Sequence, residues 1–208
     1  MFINNIDFNK INNDLLDRDS IIVVDNFLCD DVANFLHKRM VYEDVFQRYY
    51  NKSGYRAKYY DLNQDKITTY IAGELTKKLT NLPLFKSAWS FIYDNKSYGV
   101  PYHSDIAILN LNIWVTKNES VNDFSKNGLS IVPVTPPLSW GWDRKKSYGN
   151  RDNRIDNFLK TAGVEAVNIS YKFNRAIFFN SAFFHKTIGV DMKPGRNNRR
   201  VSYTMLFG

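Results

Sequence analysis

The chain has 208 residues, 44% of them hydrophobic and 15% aromatic, which is enough to bury a core without cross-links and excludes a disordered segment. Its one cysteine, Cys29, excludes an intrachain disulfide and fits a reducing compartment. The net charge of +7 gathers at Arg144, Lys145 and Lys146 and at Lys193, Arg196, Arg199 and Arg200, where a solvated basic face is a simpler account than nucleic-acid binding.

The N-terminus, Met-Phe-Ile-Asn-Asn-Ile-Asp, carries no basic region followed by an apolar run, so no secretory signal is expected. The longest apolar runs, residues 21–24 and 176–179, are far too short to span a bilayer. One cytoplasmic domain over residues 1–208 is the expectation. Residues 20–25 form a β-branched run that reads as a buried strand. Asp30 then reads as a helix N-cap, with Val32, Phe35, Leu36 and Met40 on one face of the helix it opens. His37 on that helix has no partner in view and reads as structural or solvent-facing. Ile67, Ile71, Leu75 and Leu79 recur every four residues and predict a second helix, with Lys77 and Lys78 outward and Pro83 beyond its end.

From Lys86 onward the pattern changes to short strands. They are expected at 87–93, 100–105, 108–116, 128–134, 165–170, 175–180, 184–188 and 200–207. One helix interrupts them, marked by Ile155, Phe158 and Leu159 and stopped by Gly163. Strands so spaced predict an α+β, mainly β chain built as an antiparallel sandwich or barrel. Residues 136–154 form a long excursion between strands, a length usually tied to function. Its Trp140, Trp142, Tyr148 and the basic residues Arg144, Lys145 and Lys146 fit a lid over an anionic or aromatic substrate. They fit equally a surface loop packed by its own aromatics.

The chain has three histidines, and two of them fall in a chemically coherent set. His103 and Asp105 are two residues apart and so share one face of an extended segment. His185 follows a strand, a turn and the start of another strand, which brings it to the mouth of the same sheet structure. Two imidazoles and one carboxylate form the ligand set of a non-haem Fe(II) site that leaves coordination positions open. Near the C-terminus, alternation puts Arg200, Ser202 and Thr204 on one face, with Val201 and Tyr203 on the other. A guanidinium buried there needs an anion, and its planar fork fits a carboxylate. Arg199 points away and is the second choice. The same alternation turns Asn110, Asn112 and Trp114 toward the pocket, or into core packing and sheet hydrogen bonding.

On these residues the chain resembles the Fe(II)- and 2-oxoglutarate-dependent dioxygenases, in their prolyl-hydroxylase-like branch. The resemblance runs from Ile21 to the C-terminus and is strongest over 90–116 and 175–207. It rests on Tyr93 ten residues before His103, on Gly99 between them, on the His-x-Asp pair, and on Arg200-Val-Ser202. It implies a double-stranded β-helix (jelly-roll) core with N-terminal supporting helices. It also implies that His103, Asp105 and His185 hold Fe(II), and that Arg200, Ser202 and Tyr93 bind the distal carboxylate of 2-oxoglutarate, with Asn112 and Trp114 nearby. The implied reaction is hydroxylation of a small metabolite or peptide side chain, with release of succinate and CO2. With Asp105 present, halogenation is disfavoured. The chain departs from the pattern in a longer gap from His185 to Arg200, which reads as an inserted loop. The nucleic-acid demethylating branch carries a second arginine six residues after the first, where this chain has Leu206 (or Met205, counted from Arg199). The alternative from another class is a non-catalytic jelly-roll binding module with a structural or vestigial metal site.

Overall fold

The computed structural model describes residues 1–42, 48–50, 55–60, 65–141, 148–149 and 153–208, with the backbone alone at 48–50, 55–60 and 148–149. In chain order the elements are α1 (Phe8–Asp14), β1 (Ile22–Val24), α2 (Asp30–Tyr42), β2 (Arg48–Tyr50), β3 (Tyr55–Tyr60), α3 (Lys66–Lys78), β4 (Phe85–Tyr93) and β5 (Lys96–Ser97). They continue with β6 (His103–Ser104), β7 (Leu109–Trp114), β8 (Gly128–Val132), β9 (Tyr148–Gly149), α4 (Arg154–Ala162) and β10 (Val167–Ser170). The last four are β11 (Ala176–Asn180), β12 (Phe184–Thr187), β13 (Val190–Asp191) and β14 (Val201–Phe207). A larger antiparallel sheet runs β1-β11-β7-β14-β4-β3-β2, and a smaller one runs β10-β8-β12-β6-β9. This is the expected jelly roll, with helices against one sheet.

Alternation along the central strands builds two apolar layers. Leu111, Ile113, Val201, Tyr203, Met205 and Phe207 face the helices and pack with Leu36, Met40, Ile71 and Leu75. Trp114, Ile177 and Phe179 face the other way and pack with Leu129, Ile131 and Tyr171 between the sheets. β14 is therefore buried on both faces. Its odd residues seal the helical layer, while Ser202 and Thr204 are released to the space between the sheets.

Local chemistry explains the helix limits. Asp65 caps α3 by accepting from the Ile67 N–H, and it also pairs with Arg39 of α2 at 3.0 Å. Gly163 ends α4 in the left-handed region, as predicted. In α2 the buried face is Ala33, Leu36 and Met40, while Phe35 is exposed, a shift from the expected stripe. α1 was not expected. Asp7 caps it through the Lys10 N–H, and Ile11 is its one buried residue, too short a signal for periodicity to find.

Three expectations about the strands are corrected. The segment 100–105 is a strand only at β6, so Asp105 stands in the following loop. The stretch after His185 is not an inserted loop throughout. It completes β12, then forms β13 paired with β5, then a helical turn at Arg196–Asn198. The excursion 136–154 returns to the sheet, since β9 pairs with β6 and sets Gly149 opposite His103.

Candidate metal centre

β6 and β12 are neighbours in the smaller sheet, and His103 pairs directly with His185. Directly opposed side chains share a face, so the two rings meet with centroids 4.1 Å apart. Asp105 joins them from the loop after β6. Its N–H donates to the Ser181 carbonyl at 2.9 Å, and this main-chain bond brings the loop beside the turn that precedes β12. The Asp105 oxygens lie 3.4 Å from His185 Nε2 and 3.9 Å from His103 Nε2. One donor atom from each of the three residues lies within 4.8 Å of the others.

The tautomers follow from a device used twice. His103 Nδ1 lies 2.8 Å from the Pro101 carbonyl, and His185 Nδ1 lies 2.9 Å from the Phe183 carbonyl. A carbonyl can only accept, so each Nδ1 carries the proton and each Nε2 presents a lone pair. Two lone pairs and a carboxylate thus converge with no proton between them, an arrangement that calls for a cation. Burial, and then the neighbouring His185, push His103 down to about 4, so it is unprotonated at neutral pH. Desolvation pushes Asp105 up, but the polar groups around it, the Asn110 amide among them, outweigh it and hold the carboxyl below the usual carboxylate range.

From this cluster a narrow cavity runs inward between the sheets. Trp89, Phe91, Asn110, Asn112 and Thr204 line the larger-sheet side, and Leu129 and Thr187 the other. Tyr93 closes the inner end, with its hydroxyl 3.2 Å from Thr187 Oγ1. Asn112 Nδ2 donates to Thr204 Oγ1 at 3.0 Å across β7 and β14. Gly99, at φ +72°, lets the chain pass against Thr187, because a Cβ there would lie 2.5 Å from Thr187 Cβ.

Arg200 lies behind this inner end and is 1% exposed. Its guanidinium stands 5.4 Å from the Tyr93 ring, 5.1 Å from Trp114 and 5.2 Å from Tyr171. It donates to the Gly189 and Gly128 carbonyls, each at 3.1 Å, while its Nε is buried without a partner. Among the described residues no carboxylate lies within ion-pair distance of it. Burial pushes Arg200 down, yet a guanidinium keeps its charge. Burial raises Tyr93 and Tyr171 as well, so both stay phenols. Arg199 is different. It pairs with Asp94 at 3.4 Å, away from the cavity.

The structure thus gathers His103, Asp105, His185, Tyr93, Asn110 and Asn112 around one cavity, with Arg200 and Trp114 at its inner end. Trp114 stacks on Tyr171, with centroids 5.0 Å apart, and does not line the cavity itself. Sequence reasoning missed Tyr171 and Thr187. Thr187 was open to the alternation argument, two residues beyond His185 on one strand. Tyr171 lies just past the end of β10, where a strand pattern gives no direction. His37 is half-buried, with Nε2 3.3 Å from the Arg199 carbonyl, so it does have a partner. In the excursion, Trp140 packs on Phe158 and Phe184 with Arg154 over its ring, next to His185 in the chain. Trp142, Arg144, Lys145 and Lys146 lie outside the described residues, and of Tyr148 the backbone pairs with Ser104.

The sequence matches no family model and no curated protein. Solved structures do match. The non-heme alpha-ketoglutarate-dependent epimerase SnoN from nogalamycin biosynthesis is 13% identical, covering 95% of this chain and 81% of its own, with a TM-score of 0.65. A prolyl-4-hydroxylase from Pseudomonas putida is 12% identical over 96% of this chain and 97% of its own, at 0.63. A prolyl hydroxylase from Trichoplax adhaerens, solved with a hypoxia inducible factor peptide, is 14% identical over 96% and 88%, at 0.59. At such identities the likeness is one of fold, and the fold of this chain is that of the Fe(II)- and 2-oxoglutarate-dependent dioxygenases.

Proposed function

We propose that the chain is a single Fe(II)- and 2-oxoglutarate-dependent oxygenase domain that hydroxylates a small metabolite or a peptide side chain. The observation that carries this reading is a pair of features at the two ends of one cavity. At the mouth are three converging donors with no proton between them. At the inner end is a buried guanidinium that no carboxylate among the described residues neutralises. A structural cation site explains the first feature and leaves the second without a reason. Of the neighbours named above, SnoN belongs to nogalamycin biosynthesis and the Trichoplax adhaerens prolyl hydroxylase was solved with a peptide, which supports a substrate of either size.

His103 and His185 offer Nε2, and Asp105 offers a carboxylate oxygen, so one face of a divalent ion is held and the rest stays open. Arg200 receives the distal carboxylate of 2-oxoglutarate, with the Tyr93 and Ser202 hydroxyls as donors beside it. Bound iron and 2-oxoglutarate supply the oxidation: dioxygen converts the co-substrate to succinate and CO2 and places one oxygen atom in a substrate C–H bond. The aromatic walls Trp89 and Phe91 keep the cavity narrow and exclude water.

The test is an anaerobic titration of the metal-free protein with Fe(II) and then 2-oxoglutarate, followed by visible absorption. A charge-transfer band that needs both additions and vanishes in Asp105→Ala is the expected result. A folded protein that takes up metal, shows no band and binds no 2-oxoglutarate is instead the non-catalytic binding module.

A further inference from the structure

We infer that a second cavity, behind the loop that carries Asp105, is an effector site for a small carboxylate with an apolar body. It is separate from the cavity described above, and only its effect on the metal rests on the metal reading. The cavity holds about 300 Å³, at the lower end of the range of about 300–1,000 Å³ for small-molecule sites. It forms where the α1–β1 link, the chain entering β4, the loop before β7 and the turn after β11 meet. Leu15, Ile22, Pro83, Ile108 and Leu109 give it apolar walls. Its polar atoms are biased toward donors. The two Asp17 oxygens are already engaged, one by the Asp19 N–H and the other by the Ser20 hydroxyl, each at 3.0 Å. Arg18 beside it, exposed at the rim, has no ion pair or hydrogen bond among the described residues. Asn180 Oδ1 accepts from the Ala182 N–H at 3.0 Å, which fixes the amide and leaves Nδ2 to donate. The Thr135 hydroxyl completes the set. An anionic end with an apolar body matches this lining, whereas an amine meets the like charge of Arg18.

The wall between this cavity and the metal centre is the backbone that positions Asp105. The Ser181 N–H donates to the Ile108 carbonyl at 3.2 Å, and the Asp105 N–H donates to the Ser181 carbonyl at 2.9 Å. Ala107 and Ala182 line the second cavity, and Ala107 also packs with Trp89, which lines the first. Ile108, at the centre of this wall, is 36% exposed. A ligand packed on Ile108 therefore adds contacts to the segment that presents Asp105. A loop already ordered by one ligand costs less to order for the next, so occupancy of the second cavity strengthens metal binding in the first.

The experiment is a calorimetric titration of the metal-free full chain with hexanoate, and with hexylamine as the control of opposite charge. Hexanoate is expected to bind at least about 10-fold more tightly than hexylamine, and Arg18→Glu is expected to weaken it by about 10-fold. Thr135→Phe fills the cavity and should abolish binding; if that variant does not fold, Arg18→Glu, a change at an exposed position, decides. Mn(II) affinity is then measured with and without saturating hexanoate. It should rise about fivefold in the wild type and stay unchanged in Arg18→Glu. No hexanoate binding, equal binding of hexylamine, or an unchanged Mn(II) affinity overturns the inference and leaves the metal reading standing. Hexanoate binding that is indifferent to both substitutions places the carboxylate beside Arg200 and also overturns it. Wild-type protein that binds hexanoate but no Mn(II) overturns the metal reading and, with it, the effector role.

Discussion

Arg199 and Arg200 are adjacent in sequence, carry the same charge, and meet opposite fates. Arg199 stays partly solvated and shares its charge with Asp94. Arg200 is enclosed by three aromatic rings and two carbonyls. Desolvating a guanidinium without an anion is costly, and the cost is offset when a ligand carboxylate arrives. Truncating one partner of a buried charge pair costs far more than removing an exposed one. Arg200→Ala is therefore expected to weaken 2-oxoglutarate binding by about 100-fold. Arg199→Ala is expected to change it by less than about threefold. Equilibrium dialysis with the co-substrate and a redox-inert divalent ion checks the ranking, and the reverse order means that the wrong arginine has been assigned.

At the scale of elements, the edge of the larger sheet is tied down by charge. Asp25, just after β1, takes a bidentate grip from Arg175 at 2.6 and 3.1 Å and a further bond from Lys172 at 2.8 Å. The Arg175 hydrogen bond, aided by Lys172, lowers Asp25 to about 2. A folded pKa below the unfolded value near 3.9 stabilises the fold at every pH above that value, and the gain is lost as pH falls toward about 2. The site is about a third exposed, so screening keeps the gain at about 1 kcal/mol or less. Asp25→Asn should lower stability at pH 7 by that amount and flatten the loss between about pH 4 and 2. Urea unfolding at several pH values measures both, and an unchanged pH slope removes Asp25 from the account. The same corner is clipped by Asn174, at φ +59°, whose side-chain amide exchanges hydrogen bonds with the backbone of Leu28 at 2.8 and 2.6 Å. These two contacts bind the N-terminal segment to the turn that feeds β11.

For the molecule as a whole, the two apolar layers do different work. In the helical layer the buried polar chain from Asp65 through Thr68 to the Tyr203 hydroxyl is hydrogen-bonded throughout. The layer between the sheets, by contrast, holds Asn110 Oδ1, Asn112 Oδ1, Trp114 Nε1 and Arg200 Nε, all buried with no hydrogen-bond partner among the described residues. Buried polar atoms without partners destabilise a fold by about 1–3 kcal/mol each, so this layer is complete only with its ligands. Metal and 2-oxoglutarate together, each at about 100 times its dissociation constant, should stabilise the folded state by about 5 kcal/mol and raise the melting temperature by about 10–20 °C. Asp105→Ala should abolish most of the shift. A melting curve indifferent to both ligands contradicts the proposed function.

Alternation and spacing in the sequence were sufficient for most strands of the jelly roll, for the helices α2, α3 and α4, and for the faces of β14, but not for β2, β3, β9 and β13. Arg200 and Ser202 are separated by two positions, and a period of two gives their common side without any knowledge of the fold, whereas Asp105 reaches His103 from the loop after β6 through its main-chain bond to Ser181. Nor did the residue types of the triad need a structure, because few ligand sets combine two imidazoles with one carboxylate. The pairing of His103 with His185 across 82 residues of chain is another matter, since it depends on the register of β6 against β12. So do the burial of Arg200 rather than Arg199, the place of Tyr171, and the reach of Asn110 to Asp105. None of these has a local signature. Register is set by the whole buried face of a sheet, and a buried charge is defined by what the rest of the chain puts around it.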